Sequence, residues 1–193
     1  MGKNKKQQIL NTALKLFALQ GYDETTTVQI SKEAGVTEPL LYYHFKNKEE
    51  IFTHILKAIF SEYKEMISRL PQNTNCEFER IENLIRLHFN IAEVRPLEGR
   101  LILAHCPAKL KENNHFCAKI IEEQKELLLN YLCDCLQKGI SKKEFKKVPV
   151  IETSLVLLCF INGLFRKKLF EAEENHAYEE VAISFCRNSL LNT

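Results

Sequence analysis

Between residues 21 and 50 the chain reads GYDETTTVQISKEAGVTEPLLYYHFKNKEE. The caps and breakers in this stretch leave room only for short helices joined by tight turns. Thr27 is placed to cap a first helix, whose apolar face comes from Val28, Ile30 and Ala34. Gly35 falls where that helix must end in a left-handed residue, a conformation glycine reaches without the steric cost of a Cβ. Thr37 caps the next helix. Pro39 is tolerated in its first turn because N–H groups there have no intrahelical acceptor. Asn47 caps a third helix, with Glu50 at capping-box spacing. Two short helices about a glycine turn make a helix-turn-helix, the module that lays its second helix in the DNA major groove.

The reading helix is expected to run from about Glu38 to Phe45. Thr37 can donate or accept a hydrogen bond, Pro39 and Leu40 offer apolar surface to thymine methyls, and Glu38 can accept from cytosine N4. The helix lacks Arg, Asn and Gln, the usual bidentate readers of guanine and adenine. Specificity is therefore expected from apolar contacts, water and DNA shape. Leu41 and Phe45 read as core. Lys48 lies in a first turn, where the helix dipole disfavours a cation. A lysine beside unpaired N–H groups suits a phosphate instead.

The ordered set Gly21-Tyr22, Thr26-Thr27-Val28, Ile30, Ala34-Gly35-Val36-Thr37 and Leu41-Tyr42-Tyr43-His44-Phe45-Lys46-Asn47-Lys48-Glu49 resembles the tetracycline-repressor (TetR) family of bacterial transcription regulators. The match covers about residues 5–55; the remainder agrees in length and helical character. Ser31 departs from the family's usual alanine and is small enough to fit. The resemblance implies that Thr27, Tyr42 or Tyr43, His44 and Lys48 grip the DNA backbone, with Tyr42 the favoured tyrosine. Loss of Lys48 is then expected to flatten the salt dependence of binding. It also implies a homodimer on a roughly palindromic operator, with half-sites about 34–36 Å apart, or somewhat more if two dimers bind. The ligand of such a regulator sits among the later helices and swings the fourth helix.

The chain's 193 residues suffice for a reading head of about 50 residues and one larger domain. Up to Lys48, seven lysines face Asp23, Glu24, Glu33 and Glu38, a net +3; the chain as a whole is +2, so the rest sums to −1. This modest bias fits a sequence-specific binder with few phosphate contacts. The N-terminus MGKNKKQQ is polar, and Lys6 stands where a myristoylation signal needs Ser or Thr. The longest apolar run, Leu155–Ile161, is far short of the ~20 residues of a membrane span. Seven cysteines without an export signal read as reduced thiols of a cytoplasmic protein.

Apolar residues recur at helical spacing along the whole chain, so the fold class is all-α. The expected division is a DNA-binding head at 1–48, a connecting helix and linker at 49–72, and an effector-binding and dimerisation domain at 73–193. Ile9, Leu10, Ala13, Leu14 and Phe17 make the first helix, ended by Gly21. Ile51, Ile55, Ala58 and Ile59 make the fourth, stopped by Pro71. Thr74 and Glu77 stand at capping-box spacing before Phe78, Ile81, Leu84, Ile85, His88 and Phe89. After Pro96 come a short helix over about Leu97–His105 and a long one over Asn114–Lys138, ended by Gly139. The loop GISKKEFKK reads as basic and exposed. Pro149 opens a helix apolar nearly all round. The last helix, about His176–Leu191, carries Tyr178, Val181, Ala182, Phe185 and Ser189 on one face. These two helices are expected to pair with their copies in a second subunit, and Gly163 could permit close approach there.

His88, Phe89, His105, Phe116, Gln124, Tyr131, Cys159, Asn162 and Phe165 are aromatic or mildly polar residues at otherwise apolar positions. They could line a cavity for a small, mostly apolar ligand. No metal is expected: Cys133 and Cys135 point about 200° apart on a helix, and no CxxC or HxxxH occurs. Thiol sensing at Cys106 or Cys117 is the weaker reading, because cysteine on an apolar helix is usually a small buried hydrophobe. No cofactor is expected, and no phosphate loop or nucleophile elbow argues for an enzyme. The alternative is a DNA-binding adaptor governed by a protein partner.

Overall fold

The computed structural model describes residues 2–72, 74–103, 107, 110, 116–171 and 178–192. Among them every regular element is helical: α1 Gly2–Gln20, α2 Thr27–Glu33, α3 Glu38–His44, α4 Lys48–Ser68, α5 Glu77–Val94, α6 Pro96–Ile102, α7 Phe116–Ser141, α8 Val150–Phe170 and α9 Tyr178–Leu190. The all-α expectation holds. One isolated bridge pairs Phe145 with Leu191. No helix among the described residues is long and apolar enough to cross a membrane. The chain groups into two compact units, residues 1–62 with 97–121 and residues 63–96 with 122–193. Each is discontinuous in sequence.

In the first unit α1 packs on α2 and α3 through Ile9, Ala13, Leu16 and Phe17, all buried. Gly21, at φ +90°, ends α1, and its N–H returns to Phe17 O at 3.1 Å. The rings of Phe17, Tyr22 and Phe52 stack pairwise with centroids 4.8–5.7 Å apart, which clamps the turn after α1 onto α4. Two expectations are corrected here. The cap of α2 is Thr26, not Thr27: Thr26 has the extended backbone, and its hydroxyl accepts from Gln29 N at 3.1 Å. With three consecutive threonines, only reach to the third helical N–H distinguishes the cap. Val28 is 54% exposed; it lies about 200° around α2 from Ile30, and Ser31 is buried in its place.

In the second unit α5 lies against α8 and α9. The expected Thr74–Glu77 capping box does not form, since Thr74 turns its hydroxyl to Cys76 O. A carboxylate 66–67 residues away does the capping. Glu144 accepts from Glu77 N at 2.7 Å and Phe78 N at 2.8 Å, placing negative charge where the helix dipole favours it. Gly139 does not end α7, which continues to Ser141. The end itself is a Schellman turn, with Glu144 N on Gly139 O and Lys143 in the left-handed region at φ 60°. Gly139 is needed for another reason: a Cβ there would run into the Phe145 ring. The loop after α7 is thus not simply exposed. Phe145 is buried, and Lys146 N donates to Leu190 O while Asn192 N donates to Glu144 O.

Helix α8 is apolar on both its inner and its outer face. Leu157, Leu158, Ile161 and Phe165 are buried. Ile151, Leu155, Val156 and Cys159 are exposed. On α9 the expected single face divides likewise: Ala182 is buried with Ile183 and Cys186, while Val181 and Phe185 are exposed. The Phe160 and Phe185 rings meet at 5.4 Å, joining the two outward faces into one apolar surface.

Candidate functional site

Thr37 holds the start of α3, its hydroxyl accepting from Leu40 N at 3.4 Å. Leu41 and Phe45 are buried. Leu41 lies on the inner face of α3, while Phe45, extended just past the end of the helix, turns inward from its cap. Glu38 and Pro39 are exposed and Leu40 half-buried. Tyr42 is 50% exposed and Tyr43 82%. The Thr27 and Tyr42 hydroxyls approach to 3.1 Å, so donors from α2 and α3 meet at one point of the surface. Tyr43 stands away from that pair and packs edge-on against His44. The Nε2 of His44 is shielded from solvent and has no hydrogen-bond partner.

Asn47 caps α4 as expected, its side-chain oxygen accepting from Glu50 N at 2.8 Å. Glu50 reaches back to Lys46 N at 2.6 Å. Lys48 is turned inward. Its ammonium donates to Tyr22 O at 2.7 Å and Thr25 O at 2.8 Å and lies over the Tyr22 ring. Burial first, then Glu49 and Asp23, push the Tyr22 phenol up to about 12, so the ring stays neutral. The placement of Lys48 was invisible in the sequence because its acceptors are main-chain oxygens 23–26 residues earlier, which any residue type supplies.

In the second unit His88 and Phe165, both pocket candidates, pack edge to face at 5.2 Å. The His88 Nδ1 lies 2.7 Å from Leu84 O, and Nε2 lies 2.7 Å from the Tyr63 hydroxyl. A carbonyl only accepts, so Nδ1 carries the proton and Nε2 accepts from Tyr63. Gln124 lies close enough to the same hydroxyl to pull its pKa down, against the larger rise from burial. Tyr63 is a member of this row that the candidate set lacked, although its place four residues after Ile59 sets it on the apolar stripe of α4. Phe89 is also buried. The other candidates are not brought to this row. Tyr131 donates to Arg80 O, Cys159 is exposed on the outer face of α8, and Asn162 is half-buried. Phe116 belongs to the first unit, beneath Lys57. His105 and Cys106 lie outside the described residues. Among the described residues no group of three His, Cys, Asp or Glu could hold a metal.

Burial lowers the His88 pKa to about 4, against the pull of its Leu84 hydrogen bond. The unfolded chain, with an ordinary value near 6.5, therefore binds the proton first as pH falls. Above about 6.5 the neutral ring costs nothing; between about 6.5 and 4 stability drains away with falling pH, by up to about 3 kcal/mol. Denaturant unfolding of the wild type and His88→Gln at pH 7 and pH 4.5 checks this. The wild type should lose the larger share over that interval.

A rigid three-helix head with its third helix capped at the start, apolar inside and displayed outside defines a helix-turn-helix DNA-binding protein. Residues 9–55 match the bacterial regulatory proteins of the tetR family, so the chain carries the DNA-binding domain of the TetR family of transcriptional regulators. It is 28% identical over 162 residues, 83% of each chain, to the biofilm operon icaADBC negative transcriptional regulator IcaR of Staphylococcus epidermidis. Its fold matches the ketosteroid transcriptional regulator KstR2 of Mycobacterium tuberculosis with a TM-score of 0.82 at 19% identity, covering 97% of this chain and 95% of that one. It also matches FadR of Bacillus subtilis, solved in complex with stearoyl-CoA, with a TM-score of 0.71 at 21% identity over 93% and 96%.

Proposed function

We propose that this chain is a cytoplasmic repressor that binds a roughly palindromic operator as a homodimer and is released by a small, mostly apolar ligand. The meeting of the Thr27 and Tyr42 hydroxyls beside the displayed face of α3 carries the reading. Hydroxyl donors from two helices there can bracket one phosphate, while Thr37, Glu38, Pro39 and Leu40 face the base edges. Tyr43 and His44 add surface at the far end of α3. The exposed apolar faces of α8 and α9 support pairing with a second copy, where the open space over Gly163 would admit a partner helix. Repression is supported by the negative regulator IcaR, and an apolar ligand by the stearoyl-CoA complex of FadR. Phe165 packed on His88, with the Tyr63 hydroxyl on the other side of that ring, suits a ligand with one polar end.

Selection of bound duplexes from a random pool, followed by footprinting, tests the operator. The expected product is an inverted repeat with half-sites near one helical turn apart. Recovery of a lone asymmetric half-site would refute the dimeric reading. A thermal-shift series with fatty acyl-CoAs tests release: a ligand at about 100 times its Kd adds about 2.7 kcal/mol of stability and should lower operator affinity.

A further inference from the structure

We infer that Lys48 is a positioning residue for operator binding, whose ammonium holds the turn between α1 and α2 instead of neutralising a phosphate. The inference rests on the operator-binding reading above. A lysine ammonium has three donors. Two go to Tyr22 O at 2.7 Å and Thr25 O at 2.8 Å, and Asp23 O stands 3.5 Å away. The charge also sits 4.2 Å from the centre of the Tyr22 ring, a cation–π geometry. That ring is itself wedged against Phe17 and Phe52. To reach DNA, Lys48 would have to abandon both carbonyls and the ring, stripping Thr25 O of the ammonium and leaving Tyr22 O with Thr25 N alone, at 3.3 Å.

The turn leads directly to the DNA face. Thr25 closes it from within by donating its hydroxyl to Gly21 O at 2.7 Å. The next residue, Thr26, caps α2, and the one after, Thr27, meets the Tyr42 hydroxyl. Lys48 therefore ties the first turn of α4 to the start of α2 and sets where the Thr27 hydroxyl stands. The Asn47 cap and the bond from Lys46 N to Glu50 hold the α4 end of this tie, so displacement of α4 would be passed to Thr27 through the ammonium.

The two roles differ in salt dependence. A phosphate contact releases counterions, and its loss flattens the slope of log K against log salt by about 0.9. Loss of a positioning residue lowers affinity and leaves that slope alone. Lys48→Met in the full chain keeps the length of the stem and removes the donors. Operator affinity is measured over a salt series, and amide hydrogen exchange of residues 22–29 is measured without DNA. The expected result is an affinity loss of about tenfold, a difference of about 1.4 kcal/mol, equal at every salt concentration. The slope stays unchanged, and exchange is faster over 22–29. A slope flatter by about 0.9, whatever the exchange, overturns the inference, as does unchanged affinity. Thr25→Val, which opens the same turn without touching any charge, should reproduce the Lys48→Met phenotype and serves if that variant folds poorly; wild-type affinity in Thr25→Val counts against the inference. Wild-type protein that binds no selected duplex would instead defeat the operator reading itself.

Discussion

Phe185→Glu is expected to convert the proposed homodimer to monomers and to lower operator affinity at least a hundredfold. Phe185 is 60% exposed in the single chain and leans on Phe160, beside Val156 at 67%. A carboxylate placed in a covered apolar patch loses its water without gaining a partner, at a cost of about 2–3 kcal/mol. Two-fold symmetry applies that cost twice, so the dimer constant should weaken by about 10³-fold or more. Each monomer would still carry an intact head, but half a palindrome binds far more weakly. Sedimentation and anisotropy on the same variant check both halves. A Phe185→Glu protein that stays dimeric and binds normally would place the interface elsewhere.

Arg80→Leu is expected to be the most destabilising single change in the second unit. Arg80 is only 2% exposed. One terminal nitrogen donates to Glu77 at 3.0 Å and Asp134 at 2.8 Å, the other to Gln72 at 3.0 Å, and the guanidinium lies 5.0 Å from the centre of the Tyr131 ring. Burial pushes the Glu77 carboxyl up, yet Lys142 and Arg80 outweigh it and hold the group below the usual carboxylate range. Leucine fills part of the volume but leaves Glu77 with Lys142 alone, at 2.6 Å. Breaking a buried pair from one side costs about 3 kcal/mol or more, a fall in Tm of about 6–12 °C for a chain of this size. Calorimetry on Arg80→Leu and Arg80→Lys measures it. Lysine, with a single point charge, should recover only part, because it cannot span Glu77, Asp134 and Gln72 together.

Most of the head was legible before any coordinates. Gly21, Gly35, Thr37 and Asn47 act through their own backbone or that of residues three or four away, so their roles survive in a one-dimensional reading. Leu41 and Phe45 were readable as core, whereas the exposure of both Tyr42 and Tyr43 was not, since neighbours on a helix point about 100° apart. The errors in the head were of the same range: a cap displaced from Thr27 to Thr26, and Val28 assigned to the wrong side of α2. In the second unit the misses were of another kind. Thr74 with Glu77 has the spacing of a box, yet α5 is capped by Glu144; Gly139 looks like a terminator, yet it makes room for Phe145.

Local spacing in the chain was enough to determine an all-helical protein with a DNA-reading head, because helix caps, turn glycines and a 3.6-residue period act over a few residues. Only the tertiary structure decided that Lys48 faces the carbonyls of Tyr22 and Thr25, that the Tyr63 hydroxyl meets His88, and that α8 divides its apolar surface between Phe165 inside and Val156 outside. Those outcomes depend on main-chain oxygens and packed faces that meet across tens of residues. No residue type marks such a meeting in advance, since a carbonyl looks the same at every position until the fold brings a donor to it.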